Sequence, residues 1–203
     1  MTDINIADAP HILIAGTTGS GKSVLLHHIL NARPAGCELA IIDPKRVDFY
    51  AMRKSAADYA NNPKDAYLLL LRVAKLMETR YKFMQRRGLV KLPTAPVWVI
   101  IDELADIFLS DYGKKIKKVL LHLLQLGRAA NIHVIAATQA PNRKVIPAEL
   151  VLNFTHRVAL RCISPIESRQ IIGVAGAENL PQYGKALFLT PEGLTTLIIP
   201  PPA

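Results

Sequence analysis

Cysteine is nearly missing from this sequence. Cys37 and Cys162 are the only two, they share no CxxC spacing, and each lies in or beside an apolar stretch. A disulfide scaffold is excluded, no metal site is indicated, and both are read as core thiols. Long apolar runs are missing as well. No stretch of about 18 residues escapes a charge or a strongly polar group, so no membrane span is expected. The opening MTDINIADAP has neither the basic nor the apolar region of a secretory signal, and a cytoplasmic address is the expectation. The 11 Gly and 14 Pro are scattered rather than periodic, which excludes collagen-like and low-complexity chains, and an apolar half argues against intrinsic disorder. No repeat or linker interrupts the 203 residues, so one domain over 1–203 is expected. Acidic residues are the scarcer sign: 16 against 25 Lys and Arg leave a net charge of +9. A polyanion is a reasonable partner on that balance, although charge alone does not identify one.

What is present is an alternation of short apolar runs with longer helical patterns, the signature of a mostly parallel sheet flanked by helices. HILIA (His11–Ala15), ELAII (Glu38–Ile42), VWVII (Val97–Ile101), HVIAAT (His133–Thr138) and HRVALR (His156–Arg161) are the strand candidates. Tyr67, Leu70, Leu71, Ala74, Met77, Tyr81 and Met84 recur every three or four positions and predict a helix from about Lys64 to Arg87. A second helix is predicted from about Lys114 to Ala130, with Ile116, Val119, Leu120, Leu123 and Leu124 on one face and Lys114, Lys115, Lys117 and Lys118 on a solvated one. Ser164-Pro165-Ile166-Glu167 reads as an N-cap, a first-turn proline and a capping box, for a helix ending near Gly173. KALFLT (Lys185–Thr190) and TTLII (Thr195–Ile199) predict a C-terminal β-hairpin, which Pro200-Pro201-Pro202 would end.

The strongest chemical signal is GTTGSGKS, directly after the strand HILIA and directly before the helical VLLHHIL. This is a Walker A loop in its required context. Glycines let the backbone curl so that successive N–H groups and the next helix N-terminus face phosphate oxygens. Gly16, Thr17, Thr18, Gly19, Ser20, Gly21, Lys22, Ser23 and Val24 form the expected nucleotide-binding set. Lys22 adds charge at the β/γ-phosphates, and the Ser23 hydroxyl is a Mg²⁺ ligand. ATP and Mg²⁺ are therefore the expected substrate and cofactor.

Asp102 and Glu103 follow the apolar strand VWVII. At that strand end Asp102 can hold the magnesium shell and Glu103 can polarise an attacking water, which favours hydrolysis. The plain structural alternative is that Asp102 caps the next helix. No NKxD motif of a GTPase and no arginine-rich lid of a small-molecule kinase is present. Gln139 ends the strand HVIAAT, where a polar side chain can sense the γ-phosphate. Arg128, by position alone, is a helix-end dipole partner or a surface residue.

PHILIAGTTGSGKS (Pro10–Ser23), IIDPK (Ile41–Lys45), METRYKFM (Met77–Met84), IIDELAD (Ile100–Asp106), GRAANIHVIAATQAP (Gly127–Pro141), SPIESRQII (Ser164–Ile172) and GAENL (Gly176–Leu180) together resemble the motor domain of the FtsK/SpoIIIE DNA translocases. The resemblance runs from Pro10 to about Ile199. It implies a RecA-like α/β ATPase core that assembles as a homo-oligomeric ring, usually a hexamer, around double-stranded DNA. Lys22 and Ser23 then resemble the nucleotide-binding pair, Asp102 and Glu103 the Walker B acids, Gln139 the sensor, and Arg128 the arginine offered in trans to the neighbouring subunit's ATP. Arg169 resembles an arginine that lies toward the DNA channel.

There are departures from the family pattern. Pro165 stands where the family commonly has Lys, and Ala140 where it commonly has Arg, so two expected phosphate contacts are missing; Arg143 and Lys144 are the candidate replacements. The family's extra N-terminal α/β domain, membrane-spanning region and C-terminal winged helix are not in this sequence. The expectation is an excised core or a compact motor of a mobile element or virus, serving DNA transfer, segregation or genome packaging. Two alternatives remain open: a motor of a protein-secretion system, since type VII secretion ATPases share the resemblance, and a non-catalytic nucleotide-binding ring subunit.

Overall fold

A computed structural model of the chain describes residues 9–139 and 141–199. The apolar runs become strands β1 (His11–Ala15), β2 (Glu38–Ile42), β4 (Val97–Ile101), β5 (Ile132–Thr138) and β6 (His156–Ala159), joined by a short β3 (Asp58–Ala60) and by β7 (Lys185–Thr190) and β8 (Gly193–Ile198). All eight form one sheet in the order β3-β2-β4-β5-β1-β6-β7-β8. Every pairing from β3 to β6 is parallel, and β7 and β8 continue the sheet antiparallel.

Central parallel strands are covered on both faces, which is why they read as unbroken apolar runs rather than as alternations. In β1 and β4 the side chains still divide by the two-residue period. Leu13, Val97, Val99 and Ile101 join a core under α2 (Pro63–Arg87), α3 (Leu104–Phe108), α4 (Gly113–Leu126) and α5 (Ala148–Asn153). Ile12, Ile14, Trp98 and Ile100 join the opposite core, under α1 (Lys22–Asn31), with Phe188 and Leu197 of the hairpin. A smaller core places Ile171 and Ile172 of α6 (Pro165–Ile172) against Ala15, Ala159 and Cys162. Among the described residues no helix is long and apolar enough to cross a membrane.

Local capping explains the helix bounds. The Asn62 side chain accepts from the Asp65 N–H, Pro63 occupies the first turn, and Gly88 ends α2 at φ 63°. Ser164 caps α6 as expected, with Glu167 closing back on the Ile163 N–H at 2.9 Å.

Several expectations need correction. The helix α4 ends at Leu126 rather than near Ala130. A Cβ on Gly127 would meet Leu123 O at 2.5 Å, and Asn131, at φ 53°, turns the chain while its amide donates to Thr94 O at 2.6 Å. Arg128 therefore lies in a turn, not on the helix. On α2 the buried face is carried by Ala66, Leu69, Leu70, Val73, Met77 and Met84, and Leu71 is exposed. Strand β6 stops at Ala159 because the Arg161 carbonyl is taken by Thr17. Strand β8 begins at Gly193, two residues before the expected start. Cys37 is only half-buried, and burial pushes its thiol up to about 11; Cys162 is a core thiol, pushed up to about 12. Strand β3, α3 and α5 had no distinct sequence signal. Pro200 to Pro202 and Ala140 lie outside the described residues.

His11 opens β1 almost fully buried, and its Nδ1 accepts the Val134 N–H at 3.1 Å. Burial first, then the neighbouring His133 and Arg128, lower its pKa to about 3. The unfolded chain takes this proton near pH 6.5, whereas the folded chain resists it to about pH 3, so stability falls as pH drops through that window. Between pH 6.5 and about 4.5 the loss should be on the order of 2 kcal/mol. Urea titrations across this range should show it, and His11→Gln should flatten the dependence; an equally steep variant would assign it to other groups.

Candidate functional site

The P-loop leaves the C-terminal end of β1 and enters α1. Gly16 is required by the close pass of the chain just after β6: a Cβ there would lie 2.6 Å from the Leu160 Cβ. Gly19 and Gly21, at φ 74° and 99°, supply the left-handed turns that curl the loop. The Thr17 N–H and hydroxyl both donate to the Arg161 carbonyl, at 2.9 and 3.2 Å. The Ser20 hydroxyl ties the loop to Thr17 O at 2.7 Å. Helix α1 has no side-chain cap and no acid in its first turn, so its N-terminal N–H groups and dipole are open to an anion.

Lys22 spans the loop from inside, donating to Gly16 O at 2.7 Å and Thr17 O at 2.8 Å. Burial lowers its pKa to about 8, partly offset by Glu103. A phosphate would give this buried ammonium, which bonds two carbonyls, a direct anionic partner.

Asp102 follows β4 directly, next to the P-loop. Its Oδ2 is buried without a hydrogen-bond partner, and burial, followed by the nearby Asp48 carboxylate, pushes the carboxyl up to about 7. The Ser23 hydroxyl donates to Asp48 Oδ2 at 2.5 Å. An orphaned carboxylate oxygen, a second carboxylate and a hydroxyl are hard oxygen donors of the kind Mg²⁺ takes. No group of three or more His, Cys, Asp or Glu suited to a metal occurs among the described residues. The fit is thus to a magnesium ion that shares its shell with nucleotide oxygens rather than to an all-protein cage.

Glu103 is 2% exposed and caps α3, accepting from the Ala105 N–H. The helix cap is therefore Glu103, not Asp102. Its Oε1 also accepts from the Thr138 hydroxyl at 2.8 Å, the Gln139 N–H reaches both oxygens at 3.1 and 3.0 Å, and Lys45 lies 3.4 Å from Oε2. The Gln139 side chain turns the other way and accepts from the Thr18 hydroxyl at 2.9 Å.

The fold thus brings Lys22, Ser23, Asp102, Glu103 and Gln139 together at the ends of β1, β4 and β5. It adds residues that sequence reasoning missed. Asp48 and Thr138 had no signal beyond their types, Lys45 stood in the IIDPK segment without a role, and Gln182 and Tyr183 come from far along the chain. Gln182 donates to Thr18 O at 3.1 Å, and the Tyr183 ring packs so close to Gly21 that a Cβ there would meet it at 3.0 Å.

Arg128 is not part of this cluster. It lies just before the N-terminal end of β5, the edge of the sheet opposite the P-loop, about 16 Å away by the length of β1. There it lines a hollow of about 510 Å³ with Pro10, His156, Phe188 and Glu192. Arg143 and Lys144 are exposed on a turn beyond the C-terminal end of β5, where the Asn142 carbonyl accepts from the Val145 and Ile146 N–H groups. Arg169 is exposed on the last turn of α6. Strands β5 and β6 flank β1, so both basic segments are connected to the P-loop strand by its immediate neighbours.

Comparison with known proteins bears on the family and the fold. The FtsK/SpoIIIE family model matches residues 2–94. The "DNA translocase FtsK" of Chlamydia pneumoniae is 33% identical over 223 residues, which takes in 95% of this chain and 28% of that protein. The chain thus spans less than a third of such curated relatives. Among solved structures, the pCW3 conjugation coupling protein TcpA with ATPγS superposes with a TM-score of 0.87 at 25% identity, over 96% of this chain and 61% of that one. The type VII secretion ATPase EccC of Thermomonospora curvata shares the fold, with a TM-score of 0.77 at 23% identity over 94% of this chain and 25% of that one. The expected α/β P-loop fold, with its mostly parallel sheet and C-terminal hairpin, is the observed one, and the chain belongs to the FtsK/SpoIIIE family.

Proposed function

We propose that this chain is an ATP-hydrolysing motor that works as a homo-oligomeric ring, a hexamer by family resemblance, and moves double-stranded DNA. The observation that carries the reading is the meeting of Lys22, Ser23, Asp102 and Glu103 around one open helix N-terminus, with Gln139 touching the loop. Lys22 and the loop N–H groups hold the β- and γ-phosphates, with residues 16–24 as the nucleotide-binding segment. Ser23 and Asp102 hold the magnesium ion, which neutralises developing phosphate charge when bound. Glu103 orients and polarises the attacking water, and Gln139 reports the γ-phosphate to the P-loop through Thr18. An acid retained for water activation argues against a merely scaffolding ring subunit.

The DNA assignment draws on the family, on the +9 charge and on the exposed Arg143, Lys144 and Arg169. The test is the ATPase rate with and without linear double-stranded DNA, where stimulation is the expected result. Absence of stimulation, with intact basal turnover, would favour the second reading, a protein-secretion motor, which the likeness to EccC supports at the level of fold.

If the three basic residues line a channel, replacing all three by alanine should weaken DNA binding about equally for every sequence. The logarithmic salt dependence should also flatten, by roughly 0.9 for each phosphate that is no longer neutralised. Basal ATPase should survive. A triple variant with an unchanged salt slope would put the DNA-binding groups elsewhere, for example on the lysines at the start of α4.

A further inference from the structure

Glu103, the residue assigned to the water, is held by several donors. A carboxylate offers about four acceptor positions, and those of Glu103 meet the Thr138 hydroxyl, the Gln139 N–H, the Ala105 N–H and Lys45. A general base needs a free lone pair aimed at water. At 2% exposure, with the Thr138 hydroxyl and the Gln139 N–H held at 2.8–3.1 Å, Glu103 turns little of its carboxylate to water.

The two shortest restraints come from adjacent residues at the end of β5, Thr138 and Gln139. Four residues beyond Gln139 is Arg143, on the exposed turn built around Asn142. Both sides of that turn are packed: Pro141 is buried, and Ile146 and Leu150 lie in the core beneath α4. A displacement of Pro141 would therefore bear on Gln139, two positions before it in the chain. The turn that carries the basic side chains and the backbone that restrains Glu103 are one continuous segment.

We propose that Thr138 is a positioning residue that, with the Gln139 N–H, holds Glu103 away from water, and that DNA phosphates on the Arg143 and Lys144 turn release it. This rests on the reading of the chain as a DNA-stimulated ATPase. The Thr138 hydroxyl couples hydrolysis to DNA: without DNA it keeps turnover low, and with DNA its bond to Glu103 breaks or lengthens.

The test compares wild type, Thr138→Val and Thr138→Ser, each with and without linear double-stranded DNA, measuring kcat and KM for ATP separately. Valine removes the donor at similar size. Losing one hydrogen bond to a charged acceptor should raise the released population, and with it the DNA-free kcat, roughly tenfold. KM should stay near that of wild type, the DNA stimulation ratio should shrink by the same factor, and serine, which restores the donor, should return both values. A merely structural role would not raise kcat. If DNA-free kcat is unchanged or lower in Thr138→Val while KM holds, the restraint is overturned and Thr138 instead orients Glu103 productively. If DNA fails to stimulate wild type, the DNA reading falls, yet a raised DNA-free kcat in the valine variant still supports the restraint and an unraised one still overturns it. Should valine prevent folding, Thr138→Ala removes the same hydroxyl and is read by the same two values.

Discussion

Arg128→Ala should bind ATP almost normally and lose roughly 10³- to 10⁵-fold in turnover, the loss expected when an arginine finger is removed. The expectation comes from position. Arg128 is exposed at the sheet edge opposite its own P-loop, so within one subunit it has no path to the γ-phosphate. In a closed ring, however, one subunit's far edge faces the next subunit's site, and an arginine there can stabilise charge that develops in the transition state. Mixing gives the decisive measurement. Arg128→Ala and Glu103→Gln subunits, each inactive alone, should recover partial activity together, because a mixed ring sets an intact Glu103 site beside an intact Arg128. Verified hetero-oligomers with no activity above the sum of the parents would remove the trans role and leave Arg128 as part of the hollow near Pro10 and Glu192.

The second large effect separates binding from chemistry at one site. Lys22→Ala should abolish detectable ATP binding, because Lys22 meets the phosphates in the ground state and is the cation that spans the loop. Glu103→Gln should keep ATP affinity within a few-fold and lose roughly 10²- to 10⁴-fold in kcat, the scale of a general base acting mainly in the transition state. Fluorescent-nucleotide titration and phosphate release, run on the same preparations, report the two quantities. Wild-type turnover in the glutamine variant would assign the water to another group, and unimpaired ATP binding in the alanine variant would remove Lys22 from the phosphate site.

Much of the nucleotide site could be read along the chain because its parts are local. Gly16 to Ser23 is a single turn between a strand and a helix, and its chemistry follows from glycine conformation, one ammonium and one hydroxyl. Asp102 and Glu103 were legible because a fully buried strand of five apolar residues ends in two acids, a pattern that burial alone would penalise. The restraint on Glu103 was not legible. Thr138 is 35 residues from Glu103 and Lys45 is 58, and nothing about a threonine in an apolar run announces a partner at the end of the neighbouring strand. Asp48 likewise gains its meaning only by meeting Ser23 across 25 residues.

The limits of periodicity appear in the helices. In α2 the apolar repeat is broad enough to fit two neighbouring faces, and packing against the sheet chose the one with Leu69 and Val73 over the one with Leu71. In α4 the apolar pattern ran on, but Gly127 and Asn131 redirected the chain, and this moved Arg128 from a helix end into a turn. By itself the amino-acid sequence determined seven of the eight strands, the phosphate-binding loop, the acidic pair and the family, because each depends on residues close together in the chain or on their order. Only the tertiary structure decided which carboxylate is restrained and which is left unpaired, and on which edge of the sheet Arg128 stands. Those depend on strand order, and the parallel crossovers that set β5 between β4 and β1 join residues that no local pattern relates.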